Sequence, residues 1–159
     1  MSADAAGLAA EYGLTEGQRT ACEAYAALLL ETQAHTNLIG PATIPELWLR
    51  HFADSAQLAG LLPPTGAVLD IGSGAGFPGL VLAILGREVT LVESRRKKAQ
   101  FLEVVAARLA LAPAPVVLAE RVEALPPRPY GAITARAVAP LITLFDWSLP
   151  FAAKSTRLI

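Results

Sequence analysis

Apolar and polar positions alternate with a helical period through the first third of the chain. Residues 15–18 (TEGQ) read as a capping box with Leu14 before it as a staple. Cys22, Tyr25, Ala26, Leu29 and Gln33 then fall on one helix face. The chain turns through residues 35–41, and residues 43–46 (TIPE) read as a second capping box. It opens a helix with Leu47, Trp48, His51, Phe52, Ser55, Leu58 and Leu62 on one broad face, stopped by Pro63 and Pro64. From Ala67 the pattern changes. Residues 67–71 (AVLDI) are a short apolar strand, and residues 76–86 a helix apolar all round, with Pro78 in its first turn and Gly86 at its C-terminal cap. Residues 88–93 (EVTLVE) are a β-branched strand, and residues 95–111 a helix burying Phe101, Leu102, Val105 and Leu109. After Pro113 and Pro115 comes the run 115–125. A turn and strand follow over 126–138, then a helix over 140–153 limited by Pro150, then a fifth strand over 155–159.

Strands that alternate with helices, and that read as unbroken apolar runs, belong to a parallel sheet covered on both faces. The expected fold class is therefore α/β, a doubly wound, mostly parallel sheet preceded by helices. We expect residues 1–64 to form a helical extension packed on an α/β core over residues 65–159, the two making one structural unit. The chain stops inside the fifth strand at Ile159, so C-terminal strands are expected to be missing from the core.

Composition narrows the function classes. At 159 residues with 53% hydrophobic and 17% charged positions the chain has ample material for a core and is no disordered tail. No apolar run approaches the ~20 residues of a membrane span, and the first residues lack the cationic-then-apolar order of a secretion signal. With the lone Cys22, read as a small core residue, this points to a cytoplasmic protein without a membrane partner, and we expect a monomer. The net charge of −1 excludes nucleic-acid binding over the whole surface, so such contact must be a local patch. The densest cationic run is Arg95, Arg96, Lys97 and Lys98. It sits at a helix start, where the dipole disfavours positive charge, and it is read either as an RNA phosphate contact or as a solvated helix end.

The strongest chemical signal is Gly72, Gly74, Gly76 and Gly79 between the first strand and its helix. Glycine serves where the backbone needs positive φ or where a ligand comes closer than a Cβ allows. A loop at a strand's carboxyl end is where doubly wound sheets hold ligands. Gly74, Gly76 and Gly79 match the dinucleotide pattern. Asp70 followed by Gly72, Ser73, Gly74 and Gly76 fits better an acid before G-x-G-x-G, a carboxylate near the ammonium of a methionine moiety. Glu93, closing the second strand, suits both hydroxyls of a ribose. Loop and acid alone do not separate a methyl donor from NAD, and Arg95 and Arg96 keep the NADP 2′-phosphate in play, although Glu93 argues against it. His51 has Asp54 three positions on and Arg50 beside it. It reads either as a core-edge histidine held by that carboxylate or, with Arg50, as part of a site mouth.

The acid and G-x-G-x-G resemble the first motif of class I S-adenosylmethionine-dependent methyltransferases. Further segments resemble one family, the bacterial 16S ribosomal RNA guanine-N7 methyltransferases, also called glucose-inhibited division protein B. They are Asn37-Leu38, Arg50-His51 with Asp54-Ser55, LDIGSGAGFPGLVLAI, VESRRKKAQFL, RVEAL and TARAVAPL, spanning about residues 35–142. The resemblance implies S-adenosylmethionine as cofactor, and 16S ribosomal RNA or the small ribosomal subunit as partner. It implies Gly72 and Phe77 as cofactor contacts and Glu93 as the ribose acceptor. Val122 and Glu123 fall beside the adenine, and Arg136 borders both cofactor and substrate. An oxidoreductase on a dinucleotide fold, and a methyltransferase-like RNA-binding module without catalysis, are the alternatives. No nucleophile, Cys–His pair or metal-ligand spacing stands out. Arg136 is the candidate donor to guanine O6, its alternative a salt bridge to a nearby acid.

Overall fold

The computed structural model describes residues 3–159. Met1 and Ser2, the start of the segment read for a secretion signal, lie outside them. Helix α1 (Ala5–Tyr12) was not anticipated. Asp4 caps it by accepting from the Gly7 N–H at 2.8 Å, and Gly13 ends it at φ 66°. Helix α2 (Glu16–Gln33) begins at the predicted capping box, with Thr15 and Gln18 bonding reciprocally. It buries Cys22, Tyr25, Ala26 and Leu29. Burial pushes the Cys22 thiol up to about 12, which makes it an inert core residue.

The second capping box does not form. Residues Pro41–Glu46 wind as a 3-10 helix, the Thr43 hydroxyl bonds the Gly40 carbonyl and the His51 ring, and Glu46 pairs with Arg50. The single helix expected over 47–62 is three pieces: a π-helical turn (Trp48–Ala53), a short α3 (Asp54–Ala56) and a 3-10 turn (Gln57–Leu61). The π-helical turn carries His51, Phe52 and Ala53, all three buried. The Ser55 hydroxyl donates back to the His51 carbonyl at 2.6 Å.

The strands β1 (Val68–Ile71), β2 (Val89–Val92), β3 (Val116–Leu118), β4 (Ala132–Ala135) and β5 (Arg157–Leu158) form one parallel sheet in the order β3-β2-β1-β4-β5. Helix α4 (Gly79–Ile84), with Pro78 as its N-cap rather than in its first turn, helix α5 (Arg96–Leu109) and helix α6 (Leu141–Ser148) connect them. The two sheet faces carry separate apolar clusters. Val68, Val89, Leu91 and Ala132 pack with α2, α4, α5 and the 47–56 segment, so the N-terminal helices share one core with the sheet. Leu69, Ile71, Val92 and Ile133 pack against Val122, Tyr130, Phe151 and Trp147. Among the described residues no helix is long and apolar enough to cross a membrane.

The order in which strands are added to the sheet reverses between β1 and β4, which run parallel. From β1 the strands run outward to β2 and β3, and then the chain returns to β4 and β5 on the other side. This is the topological switch point, where the loops leaving β1 and β4 diverge and open a crevice.

Candidate functional site

A cavity of about 510 Å3 opens at that point. The glycine loop (Gly72 to Ala75, with Phe77) forms its floor, and Glu93, Ser94, Arg95 and Lys98 one side. Arg136, Ala137, Val138 and Trp147 form the other, with His51 and Leu38–Gly40 at the rim. A smaller hollow of about 60 Å3 adjoins it, shares Gly72, Ser94, Val138 and Trp147, and is closed by residues 120–123.

The loop's glycines serve more than a ligand. Gly72 has φ 68°, and a Cβ there would come 2.2 Å from a Val138 methyl, so the β4 loop rests directly on its backbone. Gly74, at φ 57°, meets nothing nearer than a backbone oxygen at 3.8 Å, so its bare Cα faces open space. The loop is anchored from behind by a residue the sequence placed only in the core. Tyr25, fully buried on α2, donates its hydroxyl to the Ala75 carbonyl at 2.6 Å and stacks on Phe77 at 5.1 Å between ring centroids. Gln33, also on α2, holds the rim by accepting from the Leu38 and Ile39 N–H groups and donating to the Ile39 carbonyl.

Glu93 stands where predicted, closing β2 and lining the cavity. Its two oxygens accept from the Gly74 N–H at 2.8 Å and the Arg95 N–H at 2.7 Å. Each carboxylate oxygen has a second lone pair, so these bonds fix its orientation and leave acceptor capacity. Ser73 lines the floor, its hydroxyl donating to the Asp70 carbonyl at 3.0 Å. Val122 is buried beside the smaller hollow, while Glu123 is exposed and loosely paired with Arg121 at 3.8 Å.

Asp70 is not where the sequence reading put it. Alternation along β1 turns it onto the α4 face of the sheet, fully buried and outside the cavity lining. Its carboxylate accepts from the Thr134 hydroxyl at 2.8 Å and the Gly79 N–H at 3.3 Å, so it ties β1 to β4 and to the start of α4. The cationic run also divides. Arg95 and Lys98 reach the cavity, Arg96 lines a separate groove with Gln100 and Glu103, and Lys97 is exposed and borders neither.

His51 is buried, but Asp54 does not hold it. Its Nδ1 lies 2.7 Å from Arg136 Nη2 and its Nε2 2.8 Å from Thr43 Oγ1. Arg136 makes no salt bridge among the described residues. It bonds His51 and the Arg50 carbonyl, with its guanidinium 5.5 Å over the Phe77 ring. Arg50 contributes that carbonyl, while its side chain turns away to Glu46.

Two buried groups have opposed acid responses. Burial, reinforced by the Arg136 charge, lowers His51 from 6.5 to about 4. Burial raises Asp70 from 3.8 to about 6, against the hydrogen bonds from Thr134 and Gly79. As pH falls from 6.5 toward 4 the unfolded chain protonates this histidine and the folded chain does not, so stability is lost. As pH falls from 6 toward 3.8 the folded chain has already protonated Asp70 and the unfolded chain has not, so stability is gained. The two slopes oppose each other across pH 4–6. Asp70→Asn, whose amide can donate to the Thr134 oxygen while its carbonyl accepts from Gly79, removes one of them. Urea titrations are expected to show the variant losing about 2 kcal/mol more than the parent between pH 6 and pH 4. Equal losses would show that Asp70 is ionised normally.

A family model described as GidB, rRNA small subunit methyltransferase G, matches residues 18–159. The chain belongs to the GidB family. Among its relatives, the ribosomal RNA small subunit methyltransferase G of Rhodospirillum rubrum is 52% identical over 131 residues, covering 81% of this chain and 64% of that protein. The protein of the same name from Gluconobacter oxydans is 47% identical, covering 80% and 66%. That of Rhodopseudomonas palustris strain HaA2 is 45% identical, covering 98% and 70%. The chain thus spans about 64% of the length of a relative such as the first. Among solved structures, coclaurine N-methyltransferase bound to N-methylheliamine and SAH superposes with a TM-score of 0.59 at 18% identity, over 76% of this chain and 36% of that one. That likeness supports the class I, Rossmann-like fold. The family is the one that the sequence motifs resemble.

Proposed function

We propose that this chain carries the cofactor site and reaction centre of an enzyme that methylates N7 of a guanine in small-subunit ribosomal RNA, using S-adenosylmethionine. The observation that carries the proposal is the cavity at the β1/β4 switch point of a GidB-family chain. It adjoins a hollow lined by Val122 and its neighbours, and the open Gly74 backbone lines the cavity. The donor set fits the cofactor. Glu93 has acceptor capacity for ribose hydroxyls, the hollow beside Val122 suits a flat apolar ring, and the bare loop admits a close approach. Asp70 acts at one remove, by fixing the strand ends that present the loop.

S-adenosylmethionine supplies a methyl group on a positively charged sulfur. Guanine N7 presents an in-plane lone pair and no proton, so it needs no base before attacking the methyl carbon. Held by Glu93, the Gly74 backbone and the hollow beside Val122, the cofactor would supply that methyl group and leave as the neutral thioether. The site suits this chemistry. Both nitrogens of its histidine are committed to Arg136 and Thr43, so the ring offers no free base. The work left to the protein is alignment of the reacting atoms at near-attack distance. Arg136, without an acid partner, can donate to guanine O6 while leaving N7 free. Arg95 and Lys98, at the cavity edge, are placed to meet RNA phosphates.

The test is incubation with radiolabelled methyl donor and small-subunit RNA, as naked RNA and as assembled subunits, followed by nucleoside mapping. Label in 7-methylguanosine is expected. Label in another nucleoside, or none with intact cofactor binding, contradicts the proposal, the second outcome pointing to a non-catalytic RNA-binding module.

A further inference from the structure

His51 and Thr43 belong to a hydrogen-bonded chain whose direction is fully determined. A guanidinium has donors and no acceptor, so in the 2.7 Å contact between Arg136 Nη2 and His51 Nδ1 the arginine donates. Nδ1 therefore carries no proton. A neutral imidazole then carries its proton on Nε2, and that N–H donates to Thr43 Oγ1 at 2.8 Å. The threonine hydroxyl, accepting there, donates to the Gly40 carbonyl at 2.8 Å. Every link in the sequence Arg136, His51, Thr43, Gly40 has one direction, and reversing any link leaves two donors or two acceptors face to face.

The chain is also locked mechanically. The His51 ring lies 5.0 Å from the Phe77 ring, and the Arg136 guanidinium covers the same ring at 5.5 Å. Phe77 is stacked on Tyr25, which holds the glycine loop. His51 reaches inward from the π-helical turn, where it is buried together with Phe52 and Ala53. A second guanidinium bond, to the Arg50 carbonyl at 3.3 Å, comes from the same turn. A flexible arginine beside the cavity is thereby held in one plane, with its remaining N–H donors unspent on the protein's own carboxylates.

We propose that His51 is a positioning residue: as the Nε2–H tautomer, backed by Thr43 and the Gly40 carbonyl, it holds the Arg136 fork in the orientation the cavity uses. It accepts no proton from substrate, and it acts through Arg136. The inference rests on the reading of Arg136 as a cofactor- and substrate-facing residue, and its first readout is independent of that reading.

That readout is nitrogen NMR of the protein. Imidazole shifts of His51 are expected to report a protonated Nε2 and an unprotonated, hydrogen-bonded Nδ1, and the Arg136 guanidinium to rotate slowly. In His51→Phe, which keeps a ring against Phe77 and removes the acceptor, rotation becomes fast. In His51→Asn, whose side-chain oxygen can take the place of Nδ1, slow rotation is retained. Affinity for S-adenosylhomocysteine, by calorimetry, is the second readout. His51→Phe is expected to lose about tenfold and His51→Asn to stay within about threefold of the parent. A protonated Nδ1, or equal guanidinium dynamics in the parent and His51→Phe, overturns the positioning role. The expected NMR behaviour with no binding of S-adenosylhomocysteine by the parent overturns the cofactor reading and leaves the orientation of Arg136 by His51 standing.

Discussion

On the proposed function, replacing Arg136 by lysine is expected to lower methyl transfer to RNA about 100-fold, with a smaller change in cofactor affinity. An ammonium keeps the charge and loses the planar fork that lets one side chain bond the His51 ring and the Arg50 carbonyl and still offer donors to the cavity. Without that fork the charge is free to wander over Phe77. A misplacement of about 1 Å at a site that works by alignment costs on the order of 100-fold. The size of the loss separates two uses of arginine. If charge alone mattered, as in attraction of a polyanion, lysine would transfer at close to the parent rate, and that result would remove Arg136 from the proposed contact with guanine. The measurement is single-turnover transfer at saturating cofactor, which isolates alignment from product release.

Gly76→Ala is expected to cost about 3 kcal/mol or more, to lower Tm by roughly 10 °C and, on the proposed function, to weaken cofactor binding. The backbone there has φ 105°, which L-residues rarely adopt. An added Cβ would sit 2.4 Å from a Leu80 methyl and 2.8 Å from the Tyr25 hydroxyl. Leu80 and Tyr25 are both fully buried, so neither can swing aside into solvent. Relief has to come from moving the loop, and moving the loop breaks the Tyr25 bond to Ala75 that shapes the cavity floor. Thermal unfolding and calorimetry on the same preparation test both halves. Wild-type stability in this variant would mean that the loop is not pinned as described.

The main lines of the fold were readable because buried parallel strands and amphipathic helices leave strong local patterns. β1, β2 and α5 fall within the segments that the apolar runs mark out, and the capping box sets the start of α2 where it is observed. The 47–62 segment was misread for a definable reason. The wide turn at Trp48–Ala53 is selected by tertiary contacts of His51 and Phe52 with Phe77, a partner more than twenty positions along the chain, and a local period carries no trace of it. Asp70 was misplaced for a related reason. A strand buried on both faces shows no alternation of apolar and polar residues, so the sequence does not say which face its acid takes.

The site was legible where chemistry depends on backbone and spacing. The glycine loop, Ser73, Phe77, Glu93 and Arg136 meet at one cavity, with Val122 and Glu123 around the hollow that adjoins it. It was illegible where one residue serves another. Tyr25 and Gln33 look like ordinary members of a helix face, and only the folded chain shows them holding the cavity's floor and rim. The cationic run illustrates the limit from the other side. Four adjacent charges point around a helix, and the packing of α5 decides that Arg95 and Lys98, not Arg96 and Lys97, face the cavity.

The most direct test of the account is a crystal structure of this protein with S-adenosylhomocysteine, paired with calorimetry against NADH. The account predicts one ligand bound at the β1/β4 switch point, with its ribose hydroxyls on Glu93, its adenine in the hollow beside Val122, its chain over Gly74, and no measurable affinity for NADH. A ligand lodged elsewhere, a pyrophosphate over the glycine loop, or a site in which Val138 and Trp147 fill the space and no thioether binds, would contradict it.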